Sequence, residues 1–286
     1  MGMDPGQPPH DMMEVRSTVA RPVQTPVPSV EGSIQAGPAC SGFRPADHPG
    51  RPWGFWATTG FGVAVSALGL AIEVTAGGLL VALAAIAGEP VEAAEEWAAT
   101  GLVLSLIQIP TAYFCGAAIL GIVLLRRLPV GEYLGLRWPG LRSAGFWAAL
   151  FIVLLLGSDA ITKWAGRDVI PEFVDRMYRT AGFVPVLVFA LVVGAPFIEE
   201  LFFRGFLYAG YAASPLGAIG AIVLPTVWWA LLHQQYDGFF VGLIFVQGLY
   251  LAYVRHRTGS TILAMVLHGL ANGCSLIQVA YRAAGG

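Results

Sequence analysis

After Trp53 the chain runs as long apolar stretches divided by short polar connectors, at 55–87, 99–125, 144–163, 183–210, 217–235, 238–255 and 260–281. A membrane-crossing helix needs roughly 20 apolar residues at about 1.5 Å each to traverse about 30 Å of hydrocarbon. Lipid offers no partner to unpaired backbone groups, so helix is the expected form of such runs. A transmembrane barrel would show segments of about 10 residues alternating apolar and polar, and none is present. The pattern predicts an all-α fold, a polytopic transmembrane helical bundle of seven spans. The first stretch is long for one crossing and carries Glu73; a break at Gly77-Gly78 would raise the count to eight.

Composition points the same way. The chain of 286 residues is 56% hydrophobic and only 12% charged, against about 25% charged residues in soluble proteins. A chain so poor in charge cannot cover a soluble globule. Its net charge of −2 provides no basic excess for nucleic acid. Cys40, Cys115 and Cys274 lie far apart and form neither a disulfide framework nor a CxxC pair. Residues 1–50 are rich in proline and lack any apolar period, which predicts a disordered cytoplasmic arm with no signal-peptide core. Residues 51–182 then hold the N-terminal spans and an interfacial segment, and 183–286 the core that carries the chemistry.

Arginine placement sets the expected orientation. The 126–143 connector holds Arg126, Arg127, Arg137 and Arg142, and Arg255 and Arg257 flank the 255–259 turn, so both read as inside. The 88–98 connector has Glu89, Glu92, Glu95 and Glu96 and no base, so it reads as outside. The N-terminus is then cytoplasmic. The charge-mixed 164–182 segment predicts an interfacial helix. Arginine over lysine, with Lys163 alone of its kind, and an Ala/Gly-rich composition suggest a GC-rich bacterium and its inner membrane.

Ionisable residues inside spans are costly and point to function. Glu199, Glu200 and Arg204 fall in one apolar stretch. Glu200 and Arg204 are i and i+4 and can pair, whereas Glu199 lies about 100° around the helix and is left for chemistry. Pro196 after Gly194 predicts a kink beside them. Trp229 and His233 share another helical face, and His268 and Asn272 a third. Alone, His233 beside Gln234 and Gln235 at a span end reads more readily as an interfacial residue, and the His268–Asn272 pair equally well as helix packing. Together, a carboxylate, two histidines and an amide supply a base for water and donors for an oxyanion, which is what amide hydrolysis needs.

Glu199-Glu200 with Arg204, the aromatic Trp229 four residues before His233, and His268 four before Asn272 resemble the CPBP (ABI) intramembrane proteases, which include CAAX prenyl protease 2. Arg257-Thr258-Gly259-Ser260 fits the same frame. The similarity covers about 183–281. It implies Glu199 as general base, a water shared with His233, His268 and Asn272 as oxyanion donors, and Glu200, Arg204 and Trp229 in support. Trp229 stands where the family pattern has phenylalanine, a difference that reads as one of packing more than chemistry. The family is often labelled a metalloprotease. Glu199, His233 and His268 would be the candidate zinc ligands, yet no HExxH is present and the water mechanism requires no metal, so no cofactor is expected.

The expected function is therefore an intramembrane endopeptidase acting on a membrane-associated peptide or protein within the lipid bilayer, near its cytoplasmic face, with no nucleic-acid partner. Two other classes compete: a non-catalytic bacteriocin-immunity or partner-binding membrane protein, and a transporter with a proton relay. Substrate identity and oligomeric state are not written in the sequence. One positional difficulty is visible. Glu199 and His268 fall near mid-span and His233 near a span end, so the 233–240 hairpin must lie deep for the three to meet.

Overall fold

A computed structural model describes residues 52–285; the expected proline-rich arm and Cys40 lie outside them. Helix α1, Phe55–Ile86, runs unbroken through Gly77-Gly78, so the eighth span does not arise. The acidic connector after it forms α2, Val91–Ala98, with Glu92 in the first turn, where a carboxylate suits the helix dipole. Helix α3, Gly101–Leu125, starts at Thr100, whose hydroxyl accepts from the Val103 N–H. A single turn α4, Val130–Tyr133, and the long α5, Leu141–Trp164, follow. Within 164–182, where an interfacial helix was expected, α6 spans Glu172–Arg179 and buries Val174 and Met177.

The remaining helices carry the charged motifs: α7, Val184–Ala212; α8, Gly217–Leu231; α9, Gly238–Thr258; and α10, Thr261–Ala283. Asp237 caps α9 through the N–H groups of Phe239 and Phe240, and Ser260 caps α10 through Leu263. Gly259 closes α9 with φ 65°, a left-handed turn that glycine adopts without steric cost. All seven expected stretches are thus helical. Six of the helices are long and apolar enough to cross a membrane. The seventh, α8, has 15 residues and reaches about 22 Å, short of the hydrocarbon thickness.

Burial ranks these helices. In the most apolar window of α7 50% of residues are buried, against 6% in α1, so α7 is the axis of the bundle and α1 lies against its outside. Phe206 and Leu207 of α7 pack with Ile119 and Val123 of α3 and with Tyr133 and Leu134.

The two ends of the bundle differ in chemistry. At one end Arg137 donates to the carbonyls of Thr258 and Gly259, the Thr261 N–H bonds to Gly135 O at 2.8 Å, and Arg126 lies over the Trp53 ring. At the other, Arg167 pairs with Asp237, and Arg282 with Asp168 and Asp175. These pairs tie the α5–α6 connector and α6 to the start of α9 and the end of α10. Arg179, and then Arg282, hold the Asp175 carboxyl below the usual carboxylate range, so this tie is present at neutral pH and is lost only as acid protonates Asp175.

Candidate active site

Helix α7 is not a uniform α-helix. Two π-helical stretches, Phe189–Gly194 and Leu201–Leu207, flank the segment Ala195–Glu200 that carries both glutamates. The first follows from Pro196. In this register the Ala195 N–H bonds to Ala190 O, and Pro196 has no N–H to give. Leu191 O is therefore left without either neighbour as a donor. Asn272 of α10 supplies one: its Nδ2 donates to Leu191 O at 2.7 Å. The kink expected at Pro196 is expressed as this π turn.

The second π stretch does the same one level down. Tyr208 N–H bonds to the carbonyls of Phe203 and Gly205 and bypasses that of Arg204. Arg204 O accepts instead from Arg255 Nε at 3.0 Å and Thr261 Oγ1 at 3.3 Å. Between these two anchors α10 lies directly on α7. A Cβ built on Gly269 would meet Val192 O at 2.5 Å, so only glycine permits the approach.

Glu200 and Arg204 are almost fully buried and paired, Nη1 to Oε1 at 2.8 Å, as their spacing predicts. Arg204 Nη2 also donates to Gly248 O at 3.0 Å, and its guanidinium lies 4.6 Å from the Trp229 ring centre. The same Glu200 oxygen accepts from His268 Nδ1 at 2.9 Å. This fixes the His268 ring and leaves its Nε2 for the cavity, as a donor whenever the ring is protonated.

Glu199 turns away from that pair, and its Oε2 accepts from Trp229 Nε1 at 2.6 Å. The expectation that Trp229 differs from phenylalanine in packing more than chemistry is corrected here, because no phenylalanine can make this bond. The carbonyl of the same Trp229 binds His233 Nδ1 at 2.8 Å. A carbonyl only accepts, so Nδ1 carries the hydrogen and Nε2 of neutral His233 keeps its lone pair. Helix α8 stops at Leu231, and His233, two residues beyond it, lines the same cavity as Glu199 and His268.

Glu199, Trp229, His233, His268 and Asn272 line one cavity of about 220 Å³. Tyr236, which no helical spacing marks, lines it too. Its ring stacks on His233 with centroids 6.1 Å apart and meets Phe173 edge-on. Burial, and then the charge of Glu199, push its phenol above the ordinary range, so the hydroxyl stays protonated and able to donate. Among the described residues no three His, Cys, Asp or Glu side chains are gathered closely enough to hold a metal ion. Of the candidate zinc ligands Glu199, His233 and His268, Nδ1 of both histidines and Oε2 of Glu199 hold protein hydrogen bonds, which leaves both Nε2 atoms and the other Glu199 oxygen for the cavity.

The cavity extends to Thr162, Pro171, Phe173 and Gln278, which belong to the end of the bundle with the ion-paired α6. It thus opens opposite Arg126, Arg127, Arg137 and Arg142. With the arginine end inside, as expected from the sequence, this end of the cavity would face away from the cytoplasm.

Residues 181–274 match the family model of type II CAAX prenyl endopeptidases, Rce1-like. The matched segment begins after α6 and contains every site residue expected from the sequence. No curated protein and no solved structure gives a significant match to the chain.

Proposed function

We propose that this integral membrane protein is an endopeptidase that hydrolyses a peptide bond of a membrane-associated peptide or protein. The observation that carries the reading is the Trp229 bridge: one residue donates to the Glu199 carboxylate and accepts from His233, at the wall of a cavity between the helices. Such an arrangement holds a base and a lone-pair acceptor at a fixed separation before substrate arrives, which is how positioning lowers a barrier.

In the proposed reaction a water binds between the remaining Glu199 oxygen and His233 Nε2. Glu199 takes its proton as the water oxygen attacks the peptide carbonyl. The developing oxyanion is met by His268 Nε2–H and by the second N–H of Asn272, whose first is held by Leu191 O. In this role His268 acts as the imidazolium, with Nδ1–H on the Glu200 carboxylate and Nε2–H toward the oxyanion, while Arg204 holds the same carboxylate in place. Glu199 then returns its proton to the leaving amine, with the Tyr236 hydroxyl as a further donor on the same wall. Every step uses groups of this chain and water.

The test is cleavage of a fluorogenic, membrane-anchored peptide library by the purified protein in detergent. Glu199→Gln and His233→Ala should each lower kcat by at least about a hundredfold, the range for loss of a positioned acid–base group. Activity should survive a chelator. Loss with chelator and return with zinc would replace this mechanism by a metal-dependent one. Full activity in Glu199→Gln would overturn it outright.

A further inference from the structure

The cavity has a second carboxylate that the proposed hydrolysis does not use. Asp159 lies on α5, within a membrane-spanning helix and a little over a turn from its end at Trp164. It lines the cavity with Glu199, and Gln278 of α10 donates its side-chain amide to Asp159 Oδ2 at 2.8 Å. The amide orients the carboxylate and leaves its charge uncancelled. Lys163, one turn further along α5, makes no ion pair with it among the described residues, and neither does any arginine.

Apart from the histidine rings, the rest of the wall provides no cation. No lysine or arginine lines the cavity. Arg204, buried behind Trp229, is committed to Glu200 and Gly248 O. Ser158 and Thr162 line the cavity near Asp159, but their hydroxyls bond back to the carbonyls of Leu154 and Ser158 in their own helix. A carboxylate in a membrane span ordinarily has a protein cation or a ligand to pair with. Here the protein supplies an orienting amide, a cavity open to substrate and no lysine or arginine.

We propose that Asp159, oriented by Gln278, is the subsite for a cationic group of the substrate: a lysine or arginine side chain, or the ammonium of a free N-terminus. The assignment rests on the peptidase reading above and deepens it, since it makes the substrate class a basic peptide. Both residues lie outside the 181–274 segment, so the preference belongs to this chain and not to what that segment shares with its family. Glu199 in the same cavity reinforces the selection, because an acidic side chain entering would face two carboxylates.

The experiment compares matched fluorogenic peptides that differ at one position as lysine, acetyl-lysine or glutamate, each with a free or an acetylated N-terminus. Wild type should cleave the lysine peptide at least about tenfold better in kcat/KM than the acetyl-lysine peptide, as a charge-assisted hydrogen bond predicts, mainly through KM. In Asp159→Asn that ratio should fall to near one. If the preference follows the N-terminus and not the side chain, the ammonium is the ligand. A wild-type ratio near one, or a ratio unchanged in Asp159→Asn, would overturn the subsite. Binding of the same peptides to Glu199→Gln, followed by fluorescence anisotropy, separates the two readings. Lysine preference in binding that depends on Asp159 supports the subsite even where cleavage fails, and its absence removes the subsite whether or not Glu199 is the base.

Discussion

Trp229 serves the site through two atoms of different kinds. Its indole N–H reaches Glu199, and its backbone carbonyl holds His233. Trp229→Phe removes the first contact and keeps the second, along with most of the ring packing against Arg204, His233 and His268. A hydrogen bond to a charged group contributes about 1.5–3 kcal/mol, so kcat for peptide cleavage should drop by roughly ten- to a hundredfold while the thermal unfolding midpoint moves little. An unchanged kcat would reduce the bond to packing. The residues at helical spacing were legible from the sequence because i and i+4 put two side chains on one face. The Trp229–Glu199 bond was not, since it joins two helices whose relative rotation no spacing encodes. Tyr236 and Gln278 were missed for related reasons: one sits in a connector without a period, and the other gains its meaning only when α5 and α10 meet at Asp159.

At the level of elements, the apolar runs were long enough to define every helix that carries the site. Their interruptions were less legible. Pro196 and Gly194 announce an irregularity, but only the backbone register shows that it takes the form of a π turn whose orphaned carbonyl at Leu191 is closed by Asn272. Asn272 is thereby a positioning group as well as a proposed oxyanion donor, and α7 is fastened to α10 at the level of the chemistry. Pro196→Ala tests this coupling. It restores an N–H in the i+5 position from Leu191, where it competes with the Asn272 amide for the same carbonyl. Asn272 is then released from its anchor, and kcat should fall about tenfold or more as donor placement loosens. KM and the unfolding midpoint should stay near wild type, because removing a proline from a helix interior relieves a local cost. A wild-type kcat would show that the Leu191–Asn272 bond does not position the donor. Unfolding of the variant would show that Pro196 acts on stability alone.

For the molecule as a whole, the open question of orientation becomes one of where the cavity faces. Arg126, Arg127, Arg137, Arg142, Arg255 and Arg257 gather at one end, where the Arg137 contacts join the α4–α5 connector to the α9–α10 turn. The cavity opens at the other, beside α6 and the ion pairs of Arg167 and Arg282. Cytoplasmic enrichment of arginine in short connectors therefore predicts that substrate enters from the non-cytoplasmic face. Cys274 offers a native probe: it is a free thiol on α10 that lines the cavity, whereas Cys115 is buried between α1 and α3. In a Cys40→Ser, Cys115→Ser background, a membrane-impermeant maleimide applied to intact cells should label Cys274, and permeabilisation should add little. A basic peptide substrate should slow the labelling by occupying the cavity, and Asp159→Asn should weaken that protection. Labelling only after permeabilisation would place the cavity mouth in the cytoplasm and the arginine end outside. The positive-inside reading of 126–143 would then fail for this chain, and the cleavage site would move to the cytoplasmic face with the catalytic geometry unchanged.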